Sequence, residues 1–334
     1  VDKTVTDVVK IHVLKKKEDK MRNFIVQFIY LFFVCIIQIN LSAQEETLKE
    51  IKFPVLKGDY LGQKPPGLDP KIFAPGIIST DVSEGCVSFT KDQSLFLFVR
   101  AGTGILIMHQ VNSIWTEPKL APFSAGRSDW DFMLAPDDKT LFVSSGRPDK
   151  KGDETLRDYR IWITERKGDV WTTAVLLPAP VNTGQHDSYP CATKDGTLYF
   201  FSNRDGGIGE GDIYRSKKIN GTYKQVENLG APINTRYHEV DAYVDPEENY
   251  MIFCSKRPGG FGGADFYISF GGSKGNWSNP VNMGPKINSQ ADEYIPYVSP
   301  DEKYFFYTSN KTGNREIYWV DARIITYFKK VNKK

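Results

Sequence analysis

Residues 186–203 read HDSYPCATKDGTLYFFSN. Asp187 opens a short alternating stretch, Lys194-Asp195-Gly196 turns the chain, and the dense apolar run TLYFFS follows. That order specifies an antiparallel hairpin. Three further segments align with it without gaps: SDWDFMLAPDDKTLFVSS from Ser128, HEVDAYVDPEENYMIFCS from His238 and DEYIPYVSPDEKYFFYTS from Asp292. A fifth, SEGCVSFTKDQSLFLFV from Ser83, fits with one residue fewer at the turn. The opening acids are Glu84, Asp129, Asp187, Glu239 and Glu293, at steps of 45, 58, 52 and 54 residues. Such periods suit one four-stranded blade each and exceed those of leucine-rich or helical-pair repeats.

Each unit continues in the same way. A Gly-rich or charged loop leads to a third strand, DIYRS at Asp212, DFYIS at Asp265 and EIYWV at Glu316. A fourth begins at an aromatic: Trp115, Trp171, Tyr223 or Trp277. Aromatic and β-branched alternation with turn residues between predicts four antiparallel strands per unit. After residue 43 no window sustains a 3.6-residue period. Asn182, Asn234 and Asn288 each stand five residues before the next acid, and Ser79 stands five before Glu84. The last unit has no such tail, so the N-terminal strand around KIFAPGIIST supplies its fourth strand and closes the ring. The reading is an all-β, single β-propeller of five four-stranded blades. A sixth blade built from residues 51–80 and the C-terminus is the alternative.

The segments PDDKTLFVSS, KDGTLYFFSNRDGGIGEGDIY and SPDEKYFFYTSN, with the W-x-x-P…LG-x-x-IN tails, resemble the TolB-type, WD-repeat-like β-propeller repeat of exported bacterial proteins. YLGQKPPG before FAPGIIST is also similar to that family. The resemblance spans about residues 53–325 and implies a propeller serving as a binding or scaffold module. The first copy departs from it, lacking the Asp-Gly turn and the DIY strand, and the third and fourth differ in the glycine loop (GIGEGD, GFGGAD).

Composition agrees with a turn-rich, aromatic-rich globular chain: 334 residues, 6 Trp, 17 Tyr, 21 Phe, 28 Gly and 19 Pro. Collagen, a coiled coil, a disulfide miniprotein and an acidic disordered chain are excluded on these counts. Residues 1–20 look like an over-extended start. Residues 21–43 have the basic start, apolar run and small residues of a secretory signal cleaved after Ala43. Residues 44–72 form a lead-in, 73–325 the propeller and 326–334 a basic tail. A periplasmic or extracellular location follows, with no membrane span once the signal is cleaved. The whole chain has 43 Lys and Arg against 41 Asp and Glu. Cleavage removes 7 basic and 4 acidic residues and leaves 36 against 37. No field for nucleic acid remains. Of the four cysteines, Cys86, Cys191 and Cys254 survive cleavage, too few and too irregular for a disulfide framework. They read as buried thiols.

The loop before the first strand and the loop after the second open on one face of a propeller. The first carries the five acids, with His186 and His238 one residue earlier in two copies. The second carries Arg147, Arg204, Arg257 and Lys311. Read structurally, each acid–base pair ties neighbouring blades together. Read functionally, Glu84, Asp129, Asp187, Glu239, Glu293, the two histidines, Arg147, Arg204 and Arg257 form a ligand-binding ring at the channel mouth. The histidines alone are too few for a metal centre, and no metal or cofactor is expected. GGSKG at Gly271–Gly275 matches G-x-S-x-G, yet it lies between two strands and lacks the strand–turn–helix of a nucleophile elbow. The expected role is a non-catalytic binding module for an envelope protein or a glycan, of undefined oligomeric state. The alternative is a carbohydrate-active hydrolase or lyase using carboxylates of the mouth.

Overall fold

The computed structural model describes residues 53–148, 158–272 and 275–331, with isolated positions at 20–22, 32 and 34. Residues 1–54 and 55–334 are separate units, and the second is the propeller. The signal segment expected at 21–43 falls almost wholly outside the described residues, as does most of the charged loop between Arg147 and Arg160. Among the described residues no helix is long and apolar enough to cross a membrane.

Five antiparallel sheets form the ring. Their first three strands are Glu84–Phe89, Leu95–Arg100 and Gly104–Val111 in blade 1. In blade 2 they are Asp129–Leu134, Thr140–Ser145 and Arg160–Lys167. Blade 3 has Asp187–Ala192, Leu198–Ser202 and Asp212–Ser216. Blade 4 has Glu239–Val244, Tyr250–Ser255 and Asp265–Phe270. Blade 5 has Glu293–Val298, Tyr304–Thr312 and Asn314–Asp321. The acid begins the innermost strand every time. Fourth strands are only two residues long, as at Val175–Leu176 and Val281–Asn282, and start four residues after each flagged aromatic.

Blade 5 takes its outer strand from Lys71–Ile72, which pairs with Trp319 and Tyr318. The lead-in does more than supply that strand. Leu56 and Gly58 bind blade 1, the Gly58 carbonyl accepting from the Trp115 indole at 2.7 Å. Gly67 accepts from the Asp321 N–H of blade 5, and the Tyr60 hydroxyl donates to Asp301 at 2.6 Å. The seam between blades 5 and 1 is accordingly aromatic. Phe73 lies 5.1 Å from Trp319, 5.2 Å from Phe306 and 5.8 Å from Phe96, while Phe89 stacks on Phe96 at 4.4 Å. Offset and edge-on ring pairs add to plain burial, so the strap fixes the joint where the ring would otherwise open.

The other seams are filled by alternate residues of facing blades. Leu97, Val99 and Ile107 meet Phe132, Leu141 and Val143 between blades 1 and 2. Phe142 and Ile161 meet Leu198, Phe200 and Tyr214 between blades 2 and 3. Two thiols also bridge seams: Cys86 Sγ donates to the Phe132 carbonyl at 3.1 Å, and Cys191 Sγ to that of Val244 at 3.7 Å. All three described cysteines are buried and free.

One element departs from the sequence expectation. Residues Arg323–Val331 form a helix (α1) although no helical period is evident there. Nine residues give a single apolar stripe, Ile324, Ile325 and Phe328, which is buried. A stripe of three residues is too short to register as a sustained period.

Candidate functional site

The innermost strands place all five acids around the channel mouth, and the carboxylates turn into the blade seams. Each is 0–2% exposed. Asp187 shows the arrangement. It accepts from the Thr183 N–H and hydroxyl in the link arriving from blade 2, from Ser202 Oγ at 2.6 Å and from Arg204 at 2.9 Å. Arg204 also donates to the Pro180 and Val181 carbonyls of that link. Its guanidinium lies over Phe200 and Tyr214 of its own blade. Glu239 repeats the set with Thr235, Ser255 and Arg257. Asp129 uses Ser124, the Ala125 N–H and Arg147. A buried charge needs this kind of saturation, because each donor offsets part of its lost hydration.

Blades 1 and 5 vary the pattern. In blade 1 the base is Arg100, 2.9 Å from Glu84. Arg100 pairs across the sheet with Glu84, at the register that Ser202 and Ser255 hold opposite their acids. The base has thus moved two residues earlier and replaced the serine, which hid it from comparison of the repeats. In blade 5 Glu293 keeps Ser289 and Ser309, but Lys311 lies over the Tyr318 ring at 3.8 Å and forms no ion pair with it. Burial raises the Glu293 carboxyl above its ordinary value and lowers Lys311.

His186 and His238 are both edge-on to Phe201, at 5.4 and 5.2 Å between ring centres. Burial lowers both below the ordinary imidazole range, so they are neutral rings packed on a shared phenyl group. Among the described residues no set of three potential ligands is arranged to hold a metal ion. The glycine loops after the second strands of blades 3 and 4 pack against the next blade's link. A Cβ at Gly209 would overlap the Thr235 and Tyr237 carbonyl oxygens, and one at Gly262 those of Ser289 and Ala291. Close backbone approach, rather than a free hairpin tip, explains these glycines.

Inside the channel two carboxyls face a cavity of about 40 Å³ that is also lined by Cys86 and Tyr189. Asp131 accepts from Ser144 Oγ at 2.7 Å, and Asp241 from the Ile295 N–H at 2.9 Å. Asp241 Oδ1 has no hydrogen-bond partner among the described residues. Burial raises both, Asp241 to about 7.

Above them, at the mouth, lies a pit of about 30 Å³ lined by Ser83, Trp130, Tyr189, Tyr294 and Arg315 among others. Arg315 is the second residue of the third strand of blade 5. Its guanidinium lies over Trp130 at 4.9 Å and Tyr294 at 5.1 Å. Its backbone N–H donates to Ser83, and its side chain has no acidic partner among the described residues. Neither residue belongs to the repeated pattern of acids and bases. Their signal was departure from the repeat: Arg315 stands where blades 3 and 4 have Gly211 and Ala264, and Trp130 where blade 3 has Ser188.

No family model matches the chain, and no curated protein matches it. Solved structures show a distant likeness. A TolB protein from Agrobacterium tumefaciens is 16% identical over 69% of this chain and 71% of that one, with a TM-score of 0.47. A gluconolactonase from Xanthomonas campestris is 11% identical over 80% and 96%, at 0.44. An α-L-arabinofuranosidase from Lactobacillus brevis is 12% identical over 70% and 88%, also at 0.44. At these identities the likeness is one of fold, the β-propeller.

Proposed function

We propose that the chain is a non-catalytic binding module, exported to the periplasm or beyond the cell, that holds a glycan or a segment of an envelope protein at the channel mouth. The carrying observation is Arg315, a guanidinium lying over Trp130 and Tyr294 with no ion-pair partner among the described residues. Arginine on aromatic faces, with its in-plane donors free, is a recognition element in protein surfaces generally. The ring acids support binding over turnover. A hydrolase or lyase needs a carboxyl free to meet substrate. Glu84, Asp129, Asp187, Glu239 and Glu293 are each held by three or four donors inside their seams.

The test is a broad array of envelope glycans and peptides probed with the purified chain and with Trp130→Ala. Retention of a ligand by the wild type and its loss in the variant, at equal melting temperature, is the expected result. Turnover of a retained glycan would replace this reading with the hydrolase one.

A further inference from the structure

We infer that the mouth pit takes the carboxylate of an acidic sugar, a hexuronate unit of a glycan, with Arg315 as its bidentate partner. The inference rests on the binding-module reading and names its ligand class.

Charge sets the sign. Four of the five ring acids are ion-paired with an arginine of their own blade, and Glu293 has Lys311 in the same blade. Arg315 makes no ion pair among the described residues, and it lines the mouth pit rather than a seam. Trp130 and Tyr294 lie against the guanidinium at 4.9 and 5.1 Å, and its N–H donors have no acceptor among the described residues. Two parallel N–H donors on a guanidinium edge match a carboxylate.

Size sets the group. About 30 Å³ holds one or two water-sized centres, which suits the two oxygens of a carboxylate and excludes a sugar ring. A hexuronate carries its carboxylate directly on the pyranose. With the carboxylate in the pit, the ring rests on the rim against Trp130 and Tyr294, beside the Ser83 hydroxyl. Aromatic faces and a hydroxyl are the groups that meet the C–H and O–H sides of a sugar.

A peptide carboxylate fits less well. Its backbone amides would need partners at the mouth, and the two bulge N–H groups bordering the pit are already taken. The bulged N–H of Tyr189 is already given to Ser144 Oγ, and that of Ile295 to Asp241.

The experiment is calorimetric titration of the full chain with tetrasaccharides of galacturonate, glucuronate and mannuronate. The same compounds as methyl esters and a glutamate-rich tetrapeptide are the controls. At least one acid form should bind, at least tenfold tighter than its ester, and weaken as salt rises. Arg315→Lys should lose about tenfold and Arg315→Met all measurable binding, with melting temperatures unchanged. Equal binding of acid and ester, preference for the peptide, or no binding by any acid form would each overturn the inference. Ester or peptide binding that Trp130→Ala abolishes would overturn it while leaving the binding-module reading standing. Binding unaffected by both Arg315→Met and Trp130→Ala would remove the mouth from both.

Discussion

Glu293 and Lys311 occupy the acid and base positions of blade 5 without forming the ion pair that joins those positions in blades 2, 3 and 4. Glu293 is saturated by Ser289 and Ser309, and Lys311 rests on Tyr318 instead. Burial disfavours the charged form of each. Lysine lacks the planar fork with which Arg204 and Arg257 reach the acid, the serine and the link carbonyl together.

Lys311→Arg should therefore restore the fifth pair. The gain is expected at up to about 1 kcal/mol, the scale of a solvent-exposed ion pair. Urea unfolding of wild type and variant measures it. A loss of stability would show that Tyr318 holds the lysine more favourably than Glu293 would hold an arginine.

Glu239→Gln tests the pattern where it is complete. The substitution leaves Arg257 part-buried without its counter-charge, and about 3 kcal/mol should be lost. Arg257→Met together with Glu239→Gln should recover part of that loss, because neither charge is then stranded. A double-mutant cycle on the unfolding midpoint gives the coupling directly.

The ring and its closure were legible because they repeat. Five acids at near-regular steps and Ser79 at the spacing of Asn182 and Asn234 carry both. What did not repeat was not legible. Arg100 is disguised by its exchange with the serine position. Helix Arg323–Val331 is one short stripe without period, buried at Ile324, Ile325 and Phe328. Trp130 and Arg315 lie in different blades, 185 residues apart in sequence. Only the ring brings them together.

The channel carboxyls make stability depend on pH. Asp241 titrates near 7 when folded and near the ordinary aspartate value when unfolded. A carboxyl raised in the folded state binds its proton more tightly there. Its contribution is complete below about pH 4 and is lost as pH rises through 7, at up to about 1.4 kcal/mol per pH unit. Asp131, also raised, acts in the same direction, while Arg315 at the mouth opposes it by favouring the Asp241 carboxylate. Cys86 and Tyr189 in the cavity lining, and Cys254 beside Asp241, are all raised by burial, so they stay neutral through this range. Asp241→Asn should flatten the slope between pH 5 and 8 and be the more stable protein at pH 8. Melting temperatures across that range decide it; parallel curves would mean that Asp241 does not titrate there.

Phe73 is the residue on which ring closure most depends. It is fully buried and meets Phe89, Phe96, Phe306 and Trp319, which come from blades 1 and 5. Phe73→Ala leaves a cavity in a seam that has no continuous chain across it except the lead-in strap. The expected cost is about 3–5 kcal/mol. Phe142→Ala, in a seam the chain crosses directly, removes the same ring from a comparable site and serves as control. Both should destabilise, but Phe73→Ala should also speed proteolysis selectively between residues 53 and 80, because the strap loses its anchor. Equal cleavage of that segment in the two variants would show that the strand pairing at Lys71–Ile72, not the aromatic seam, holds the ring shut.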